Sequence, residues 1–422
     1  MDSLKRTTHF GGKISDYARG NVMYKNNHDN KRILFVINNM RIGGTRKSLI
    51  NMLSIFPYDK VCVDLLLLAP VGEYLNLVDS RVNLVKTPYL CRCAFSKTEE
   101  LSFPDILLKV MISLLWKVFG YETIFTLIHK RLAERLSRDI SYDAVFGFQE
   151  GESNDCASFI NSPKHYLWIH NNYEHFIGNS KGLKRSYDLA NKILFVAETS
   201  LQNFNEHNIG YSDKLMIIKN ILPQDHIVNE ATEKIHDEDI FLKDTINFIS
   251  VGRMHHQKGF DRVVEVAYRL KQAGYSFRWL IIGDGKEKES LQKSIDDRNL
   301  CEHILLLGSR KNPYPYIKKA DVFIMTSYYE SQPMALMEAL TIGTPVISTK
   351  FDSVNEIIQD KPFAMIVENS VDGIQAGIIN VLNSATLAVM KSHVAEFKYN
   401  NEKILGEILQ LINKGEENER RF

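Results

Sequence analysis

At 422 residues, with 44% hydrophobic and 24% charged side chains, the chain has the length of two or three domains and the composition of an ordinary globular protein. Its formal net charge of +1 excludes the strongly basic class of nucleic-acid-binding proteins, so we expect no nucleic-acid partner. The five cysteines are scattered, and Cys91 and Cys93 lack a second Cys or His pair at zinc-ligand spacing, so we expect reduced thiols.

The N-terminal half alternates predicted strands with predicted helices. Residues 1–30 are polar and lack the apolar segment of a secretory signal, so they predict a poorly ordered leader. The first predicted strand, at 32–39, is apolar as in a strand buried on both faces, and Gly43-Gly44 and a helix to about residue 56 follow it. Further strands are predicted at 61–68, 82–85, 144–148, 166–169 and 193–196, with a long helical region at 101–140. This alternation is typical of a parallel α/β sheet.

A change of pattern separates the two halves. Between about residues 222 and 245 the apolar periodicity lapses around the acidic run Asp237-Glu238-Asp239, which predicts an interdomain linker at 226–245. A second series of strands is predicted at 247–251, 278–282, 303–307, 322–326, 345–348 and 364–367, followed by a last helix at 398–411 and a charged tail at 414–422. We therefore predict an α/β fold of two doubly wound Rossmann-like domains facing a central cleft, with the domains at 31–225 and 246–395.

The segment from 250 to 261, SVGRMHHQKGFD, lies where a buried strand gives way to a helix. Ligands of open α/β sheets bind at such strand ends, where the next helix presents free N–H groups. Arg253 and Lys258 add two cations, and Gly252 and Gly259 allow the backbone to turn tightly and approach a ligand. The segment suits a diphosphate; the alternative is a solvated loop with two surface cations.

A second polar segment follows the strand predicted at 322–326. Pro333 fits the first position of a helix and Gly343 the position just past its end, so the N–H groups of Met334 and Ala335 should be free beside Glu330. Glu338 should lie nearly two turns into that helix. Two carboxylates near two cations and a helix N-terminus suit a ligand that carries both hydroxyls and phosphates. The alternative is an exposed helix carboxylate and an unrelated loop residue.

Together these segments resemble a known family. The spacing of Glu330 and Glu338, with Gly252-Arg253 and Gln257-Lys258-Gly259 before it, is similar to the signature of retaining glycosyltransferases of the two-Rossmann-domain GT-B fold, family 4, also described as glycosyl transferases group 1. Several further matches follow in the family's order: Ile281 to Gly285, Leu306 to Gly308, Gly343 to Ile347, Glu356, and Phe397 to Tyr399. The resemblance covers residues 33–412 in outline and is specific over 246–357. It implies that the last helix, within 396–414, crosses back to the N-terminal domain.

The resemblance implies roles for individual residues in the C-terminal half. Arg253 and Lys258 would neutralise the donor diphosphate as it leaves. Glu338 would bind the ribose hydroxyls, and Glu330, with the amides of Met334 and Ala335 after Pro333, would hold hydroxyls of the donor sugar. Ser309 and Arg310 fall where the family contacts the edge of the base.

The N-terminal half carries weaker matches. Gly43-Gly44 resembles the glycine loop that approaches the donor phosphates, but Thr45-Arg46-Lys47 replaces the usual Ala-Glu-Arg, so side-chain roles do not carry over. His170 matches a histidine near the donor sugar; a structural histidine at a strand end is the alternative. Glu198 and Asn220 match positions after a strand and at the interdomain hinge.

The resemblance implies a retaining, hexosyltransferase-type enzyme that takes a sugar from a nucleotide-sugar, UDP-linked by family frequency, to a saccharide, lipid-linked or protein-linked acceptor in bacterial polysaccharide or glycoconjugate biosynthesis. No DxD-type metal site stands at a strand end, so we expect no metal and no cofactor. Alternatives are a nucleotide-sugar epimerase of the same fold and a non-catalytic glycosyltransferase-like subunit. A dehydrogenase is excluded because the GxGxxG fingerprint is absent.

Residues 104–120, PDILLKVMISLLWKVFG, form a strongly apolar stretch that is too interrupted to span a membrane. Residues 81–138 contain 10 basic and 5 acidic side chains, so the basic excess lies around it. We expect a cytoplasmic protein, and this stretch leaves two readings open. Residues 104–138 dock peripherally on the inner face of an anionic membrane, or the stretch is a helix packed on its own sheet with a solvated basic face.

Overall fold

The computed structural model describes residues 30–138, 140–171, 173, 183–235, 240–383 and 385–413. The predicted leader up to residue 29, the acidic run Asp237-Glu238-Asp239 and the tail at 414–422 lie outside the described residues. Two parallel sheets of seven and six strands, with helices between the strands, confirm the predicted doubly wound α/β class.

The seven-stranded sheet is built from strands close to the predicted ones. They are β1 Lys31–Ile37, β2 Val61–Leu67, β3 Asn83–Val85, β4 Ala144–Gly147, β5 His165–Ile169, β6 Lys192–Phe195 and β7 Leu215–Ile217. The strand order is β3-β2-β1-β4-β5-β6-β7. Parallel pairing of β1 with both β2 and β4 places β1 inside the sheet, which explains why its residues 33–37 are fully buried and apolar.

Seven helices are described among these strands and the residues that follow β6. They are α1 Gly44–Ser54, α2 Tyr89–Phe95, α3 Phe103–Phe119, α4 Tyr121–Leu136, α5 Glu152–Ala157, α6 Leu183–Leu189 and α7 Glu198–His207. The region predicted to be helical at 101–140 is confirmed as helical and consists of two helices, α3 and α4. Gly120 adopts a φ of 87°, a conformation that suits glycine, and it ends α3 and begins α4.

The six-stranded sheet is the second parallel sheet. Its strands are β8 Ile246–Val251, β9 Phe277–Ile282, β10 Ile304–Gly308, β11 Val322–Met325, β12 Val346–Thr349 and β13 Ala364–Val367. Their order is β10-β9-β8-β11-β12-β13, so the direction of winding reverses between β8 and β11. Phe248 and Trp279 are fully buried and pack edge to face under this sheet.

The helices that accompany this sheet correct two predicted boundaries. They are α8 Gln224–Glu230, α9 Phe260–Gln272, α10 Lys288–Asp297, α11 Tyr314–Lys319, α12 Met334–Ile342, α13 Asp352–Ile358, α14 Val371–Asn383, α15 Thr386–His393 and α16 Asn401–Asn413. Helix α8 occupies the start of the segment predicted as a linker, with Ile227 fully buried. The last helix begins at Asn401 rather than at residue 398, because Asn401 Nδ2 and Oδ1 bond the backbone of Leu222 and fix the first residue there.

The chain divides into two compact units, and the strands of the seven-stranded sheet are divided between them. The first unit contains the described residues of 1–42, 57–167 and 181–191, and the second contains those of 43–56, 168–180 and 192–422. Residues 43–56 and 192–225, which the sequence analysis assigns to the N-terminal domain, therefore belong to the second unit. Hydrogen bonds explain this grouping, since Ser48 on α1 bonds Asn220 Oδ1 and Asn51 Nδ2 bonds the carbonyl oxygen of Ile221.

None of the helices in the described ranges is long and apolar enough to cross a membrane alone. Val371–Asn383 and Thr386–Glu396 meet the length and composition criteria as a pair, with a bend of 89° between them.

Candidate functional site

The two polar segments identified in the sequence meet at one edge of the six-stranded sheet. Strands β8 and β11 are parallel neighbours, and the strand order reverses between them. Ligands of doubly wound sheets bind outside the carboxyl ends of the strands at such a reversal. Arg253 and Lys258 follow β8, and Ser327 and Glu330 follow β11, so the fold places all four at the position where a ligand is expected.

The loops after β8 and β11 hold each other through backbone and side-chain hydrogen bonds. The Tyr328 N–H donates to the Gln257 carbonyl oxygen at 2.8 Å, and Gln257 Nε2 donates to the Tyr329 carbonyl oxygen at 3.1 Å. Thr326 Oγ1 donates to the Lys258 carbonyl oxygen at 2.8 Å. These three hydrogen bonds, called the loop lacing below, fix the positions of the two loops relative to each other before any ligand arrives.

Lys258 and Glu330 form an ion pair inside this site. Lys258 Nζ lies 2.5 Å from Glu330 Oε1, and the Ser327 hydroxyl donates to the same oxygen at 2.7 Å. The two side chains are only 18% and 10% exposed, so the pair is largely removed from water. The resemblance assigns these residues to different parts of a donor; in this structure each compensates the other's charge. Arg253 is exposed, and among the described residues no ion pair or hydrogen bond is recorded for its guanidinium.

Glu338 is a buried carboxyl, so the alternative of an exposed helix carboxylate is wrong. It is 7% exposed on α12, and the Tyr314 hydroxyl donates to its Oε1 at 3.2 Å. Burial raises the pKa of Glu338, while the Lys47 ammonium and the Tyr314 hydroxyl act in the opposite direction. Lys47 Nζ lies 5.8 Å from the centre of the Tyr314 ring. Lys47 on α1 therefore belongs to the electrostatic surroundings of Glu338, which the sequence analysis missed.

The start of α12 differs from the prediction in detail. Pro333 is the residue before the helix rather than its first residue, and the Met334 N–H donates to the Gln332 carbonyl oxygen at 2.9 Å. That N–H is therefore not free, because the chain turns tightly at Pro333 before the helix begins. Ala335 is half-buried in the first turn. Gly343 ends the helix at a φ of 95°, as predicted.

The remaining predicted residues occupy strand ends and a helix start. Gly43 precedes α1 and Gly44 begins it, and a Cβ added at Gly44 would meet no atom within 4 Å. His170, which follows β5, is 7% exposed and stacks on Trp168 with ring centres 6.2 Å apart. Ser309 is exposed after β10, and the Arg310 guanidinium lies 5.7 Å from the centre of the Tyr316 ring.

Arg262 and the aromatic side chains stacked around it lie beside the loop after β11, and sequence reasoning missed them. Arg262 is 5% exposed, bonds the carbonyl oxygen of Thr326 and donates to Asn369 Oδ1 at 2.6 Å. Its guanidinium lies 3.8 Å from the centre of the Tyr328 ring, and His256 stacks on Tyr328 at 4.7 Å. Burial lowers the pKa of Arg262. No sequence signal indicates the burial of Arg262, because an arginine on an amphipathic helix is typical of a solvated face.

A second cluster of titratable side chains lies in the first unit, and none of its members is a predicted site residue. His129 Nδ1 is 2.8 Å from Asp155 Oδ2, and His129 Nε2 is 3.6 Å from Glu152 Oε2. Burial, with the Asp155 carboxylate beside it, raises the pKa of Glu152 to about 8. The three residues are close enough together to hold a metal ion, which the sequence analysis did not predict.

Comparison with known proteins points to the region that contains the polar site. Residues 231–404 match the family described as Glycosyl transferases group 1. The chain is 31% identical over 206 residues to an uncharacterized glycosyltransferase from Methanocaldococcus jannaschii, a match that covers 46% of this chain and 50% of that protein. It is 29% identical over 203 residues to N-acetylgalactosamine-N,N'-diacetylbacillosaminyl-diphospho-undecaprenol 4-alpha-N-acetylgalactosaminyltransferase from Campylobacter jejuni, covering 48% of this chain and 53% of the relative. Each of these similarities covers less than half of this chain. They span about half the length of the curated relatives.

Solved structures resemble nearly the whole chain. HepE from Anabaena, solved with UDP and glucose, matches with a TM-score of 0.67 at 16% identity and covers 90% of this chain and 98% of its own. TarM from Staphylococcus aureus, solved with Fondaparinux, alpha-GlcNAc-glycerol and UDP, matches with a TM-score of 0.67 at 16% identity, over 91% of this chain and all of its own. At this identity the likeness concerns the fold. The chain has the GT-B fold.

Proposed function

We propose that this chain is a retaining glycosyltransferase of the hexosyltransferase type, which moves a sugar from a nucleotide-sugar to an acceptor hydroxyl in the assembly of a bacterial surface polysaccharide or glycoconjugate. The observation that carries the proposal is the cluster at the β8–β11 reversal. There an exposed Arg253, the Lys258–Glu330 pair and the buried Glu338 lie within the segment that matches glycosyl transferases group 1.

The charges of the cluster suit a diphosphate better than a neutral sugar. Arg253 offers a planar guanidinium with several N–H donors, a geometry that matches phosphate oxygens. Lys258 is held in place by Glu330, whose Oε1 also accepts a hydrogen bond from Ser327, so the ammonium is already oriented when a diphosphate arrives. A diphosphate would share Lys258 with Glu330, which leaves the Glu330 carboxylate able to accept a hydroxyl of the donor sugar.

The proposed reaction breaks the bond between the anomeric carbon and the phosphate oxygen and forms one from that carbon to the acceptor oxygen on the same face. The acceptor proton passes to the departing phosphate oxygen, so the products are a glycoside and a nucleoside diphosphate. Arg253 and Lys258 stabilise the negative charge that develops on the diphosphate. Glu330 and Glu338 act as hydroxyl clamps, on the sugar and the ribose, rather than as the nucleophile and acid/base pair of a glycosidase.

The remaining donor contacts complete the proposal. Gly43 and Gly44 let the backbone approach the phosphates, Ser309 and Arg310 contact the base, and His170 lies beside the donor sugar. UDP is the proposed nucleotide, and HepE and TarM were both solved with UDP. No metal and no cofactor takes part, since the arginine and the lysine supply the positive charge; activity that a chelator abolishes would contradict this.

The acceptor is proposed more broadly, as a saccharide or a lipid-linked or protein-linked glycan, handled at the cytoplasmic side. One relative is named for a diphospho-undecaprenol acceptor, and another, from Staphylococcus aureus, for poly(ribitol-phosphate). The names of these relatives do not favour an epimerase or a non-catalytic subunit, because both are transferases.

The test begins with a panel of nucleotide-sugars in a thermal-shift assay, because a donor that binds the folded chain raises its melting temperature by mass action. With the donor that stabilises most, the release of nucleoside diphosphate is measured for the wild type, for Arg253→Ala and for the control Arg81→Ala. The control removes a guanidinium whose side chain is 56% exposed, in the other unit. We expect Arg253→Ala to lower turnover by about 100- to 1000-fold and Arg81→Ala to leave it unchanged.

Unchanged turnover in Arg253→Ala would overturn the proposed role of the cluster. A product that is the epimerised nucleotide-sugar, with no nucleoside diphosphate released, would identify an epimerase. Binding of no nucleotide-sugar at all would favour the non-catalytic subunit.

A further inference from the structure

Helix α3 presents an apolar stripe to solvent. The stripe consists of Phe103, Leu107, Met111, Leu114 and Val118, whose spacings of three and four residues place them on one face of the helix. Their exposed fractions are 75%, 56%, 56%, 55% and 74%. An exposed apolar face of this length on a soluble protein marks a surface that binds something apolar.

The stripe is exposed although the helix itself is firmly docked. On the opposite face Ile112 is 6% exposed, and Asp105 accepts hydrogen bonds from Tyr89 at 2.5 Å and Arg92 at 3.1 Å. Lys109 Nζ donates to the Ser96 carbonyl oxygen at 2.6 Å. The alternative of a helix packed on its own sheet therefore holds for one face only, where Ile112 joins the core cluster that contains residues of β1 and β2. The other face carries more large apolar side chains than packing against the fold requires.

The exposed charged side chains of α3, α4 and the turn after α4 are mostly positive. Lys117 is the only charged side chain among the exposed residues of α3. The exposed charges of α4 and the turn after it are those of Glu122, Lys130, Arg131, Glu134, Arg135 and Arg138. The exposed surface of α3, α4 and the turn after α4, called the α3–α4 hairpin below, thus carries five basic and two acidic groups.

Aromatic side chains stand at the corner of the same hairpin. Trp116 stands four residues before Gly120 and Tyr121 directly after it; their ring centres are 5.4 Å apart, and they are 40% and 37% exposed. Tryptophan and tyrosine favour the boundary between headgroups and acyl chains, because their rings are apolar at one end and polar at the other.

We propose that the α3–α4 hairpin docks on an anionic lipid bilayer, with the apolar stripe of α3 in the outer part of the acyl layer and the basic side chains of α4 against the headgroups. A helix of this kind lies in the plane of the interface, as expected for an amphipathic segment with a basic border. The excess of basic groups selects the bilayer over a second copy of the chain, since a two-fold dimer through this hairpin would bring like charges together.

The three tryptophans of the chain make a direct measurement possible. Trp116 is 40% exposed, whereas Trp168 and Trp279 are 2% and 0% exposed, so a change in fluorescence caused by vesicles reports on α3. We expect vesicles of phosphatidylcholine containing phosphatidylglycerol to change the emission of Trp116, because binding of α3 alters the surroundings of this half-exposed ring. The protein should float with these vesicles in a density gradient and should bind vesicles of pure phosphatidylcholine more weakly.

Two variants and a matched control separate the stripe from general adhesion. Val118→Glu places a charge in the stripe, and we expect it to lower the vesicle partition coefficient by more than about tenfold. The control Ile209→Glu introduces the same charge at a position that is 91% exposed in the other unit, and it should partition like the wild type. The double variant Lys130→Glu, Arg131→Glu should lose the preference for phosphatidylglycerol while the stripe remains intact.

Failure of the wild type to bind phosphatidylglycerol vesicles, or partitioning of Val118→Glu equal to that of the wild type, would overturn the proposal. A dimer that Val118→Glu converts to a monomer, without vesicle binding, would assign the stripe to a second copy and would also overturn it. Vesicle binding through α3 requires no sugar transfer, so its failure would leave the proposed transferase activity untouched.

Discussion

The loops after β8 and β11 and the helix α3 are both accessible surfaces, and they expose opposite kinds of chemistry. In the loops, polar groups satisfy one another. Lys258 pairs with Glu330, and Thr326 and Tyr328 bond the facing backbone. In α3 the polar groups Asp105 and Lys109 are used to attach the helix, while the apolar stripe is left without a partner among the described residues.

This difference distinguishes a site made for a small charged ligand from a surface made for an extended apolar one. A charged ligand is bound well when the groups that receive it are already oriented, which the lacing of the two loops achieves. Binding to a bilayer needs no precise geometry, and its strength increases with the apolar area and the basic charge of the bound surface. Helix α3 supplies the apolar area and α4 most of the basic charge. Three measurements of stability test the comparison.

The largest effect is expected from Gly259→Ala. Gly259 has a φ of 63°, and an added Cβ would lie 2.3 Å from the Thr326 carbonyl oxygen, so the two loops would have to move apart. We expect a loss of about 3 kcal/mol in the free energy of unfolding, from the left-handed conformation and the displaced backbone together. Urea denaturation measures it, and donor binding should be lost as well.

Gly44→Ala is the matched control for that substitution. Nothing lies within 4 Å of an added Cβ, and the residue is the first of α1, so stability should be unchanged or should rise by about 0.5 kcal/mol. If the glycine loop approaches the donor phosphates as proposed, the KM for the donor should nevertheless rise. If Gly259→Ala and Gly44→Ala lowered the free energy of unfolding equally, the close approach of the two loops at Gly259 would not contribute to stability.

The sequence predicted the sheets well because strands buried on both faces are continuous apolar runs, as in residues 33–37 of β1. It missed β7, which has three half-buried residues, and it missed the break at Gly120, because the helical periodicity continues across it. The motifs predicted which strand ends carry the site. They did not predict the Lys258–Glu330 pair, since its partners are 72 residues apart and neither residue type indicates the other. The burial of Glu338 and Arg262 depends on side chains from other elements, which spacing along one helix does not reveal.

The second largest effect concerns Glu152 on α5, which contacts helix α4 of the hairpin. The pKa of Glu152 is raised from the ordinary 4.5 to about 8 in the folded chain, where it lies beside His129 of α4. Between these two pH values the folded chain holds a proton that the unfolded chain has lost, so the free energy of unfolding should fall as the pH rises through this window. The slope is at most about 1.4 kcal/mol per pH unit, which limits the total to about 5 kcal/mol. We expect about 2 kcal/mol, because the Glu152 side chain is 24% exposed and therefore partly solvated.

Glu152→Gln isolates this contribution, because glutamine does not titrate. Urea denaturation of both proteins at about pH 5 and about pH 8 should show the variant gaining on the wild type as the pH rises. A difference between the two proteins that stays constant across this range would contradict the raised pKa of Glu152.

The smallest effect comes from the stripe itself. Val118→Ala removes two carbons from a side chain that is 74% exposed, and alanine is the better helix former, so the free energy of unfolding should change by less than about 0.5 kcal/mol. Ile112→Val removes a single carbon from the buried face of the same helix, at 6% exposure, and should cost about 1 kcal/mol. The smaller deletion should therefore cost more, as measured by urea denaturation without lipid. If Val118→Ala cost as much as Ile112→Val, the stripe would be packed against protein in solution rather than left open for a bilayer.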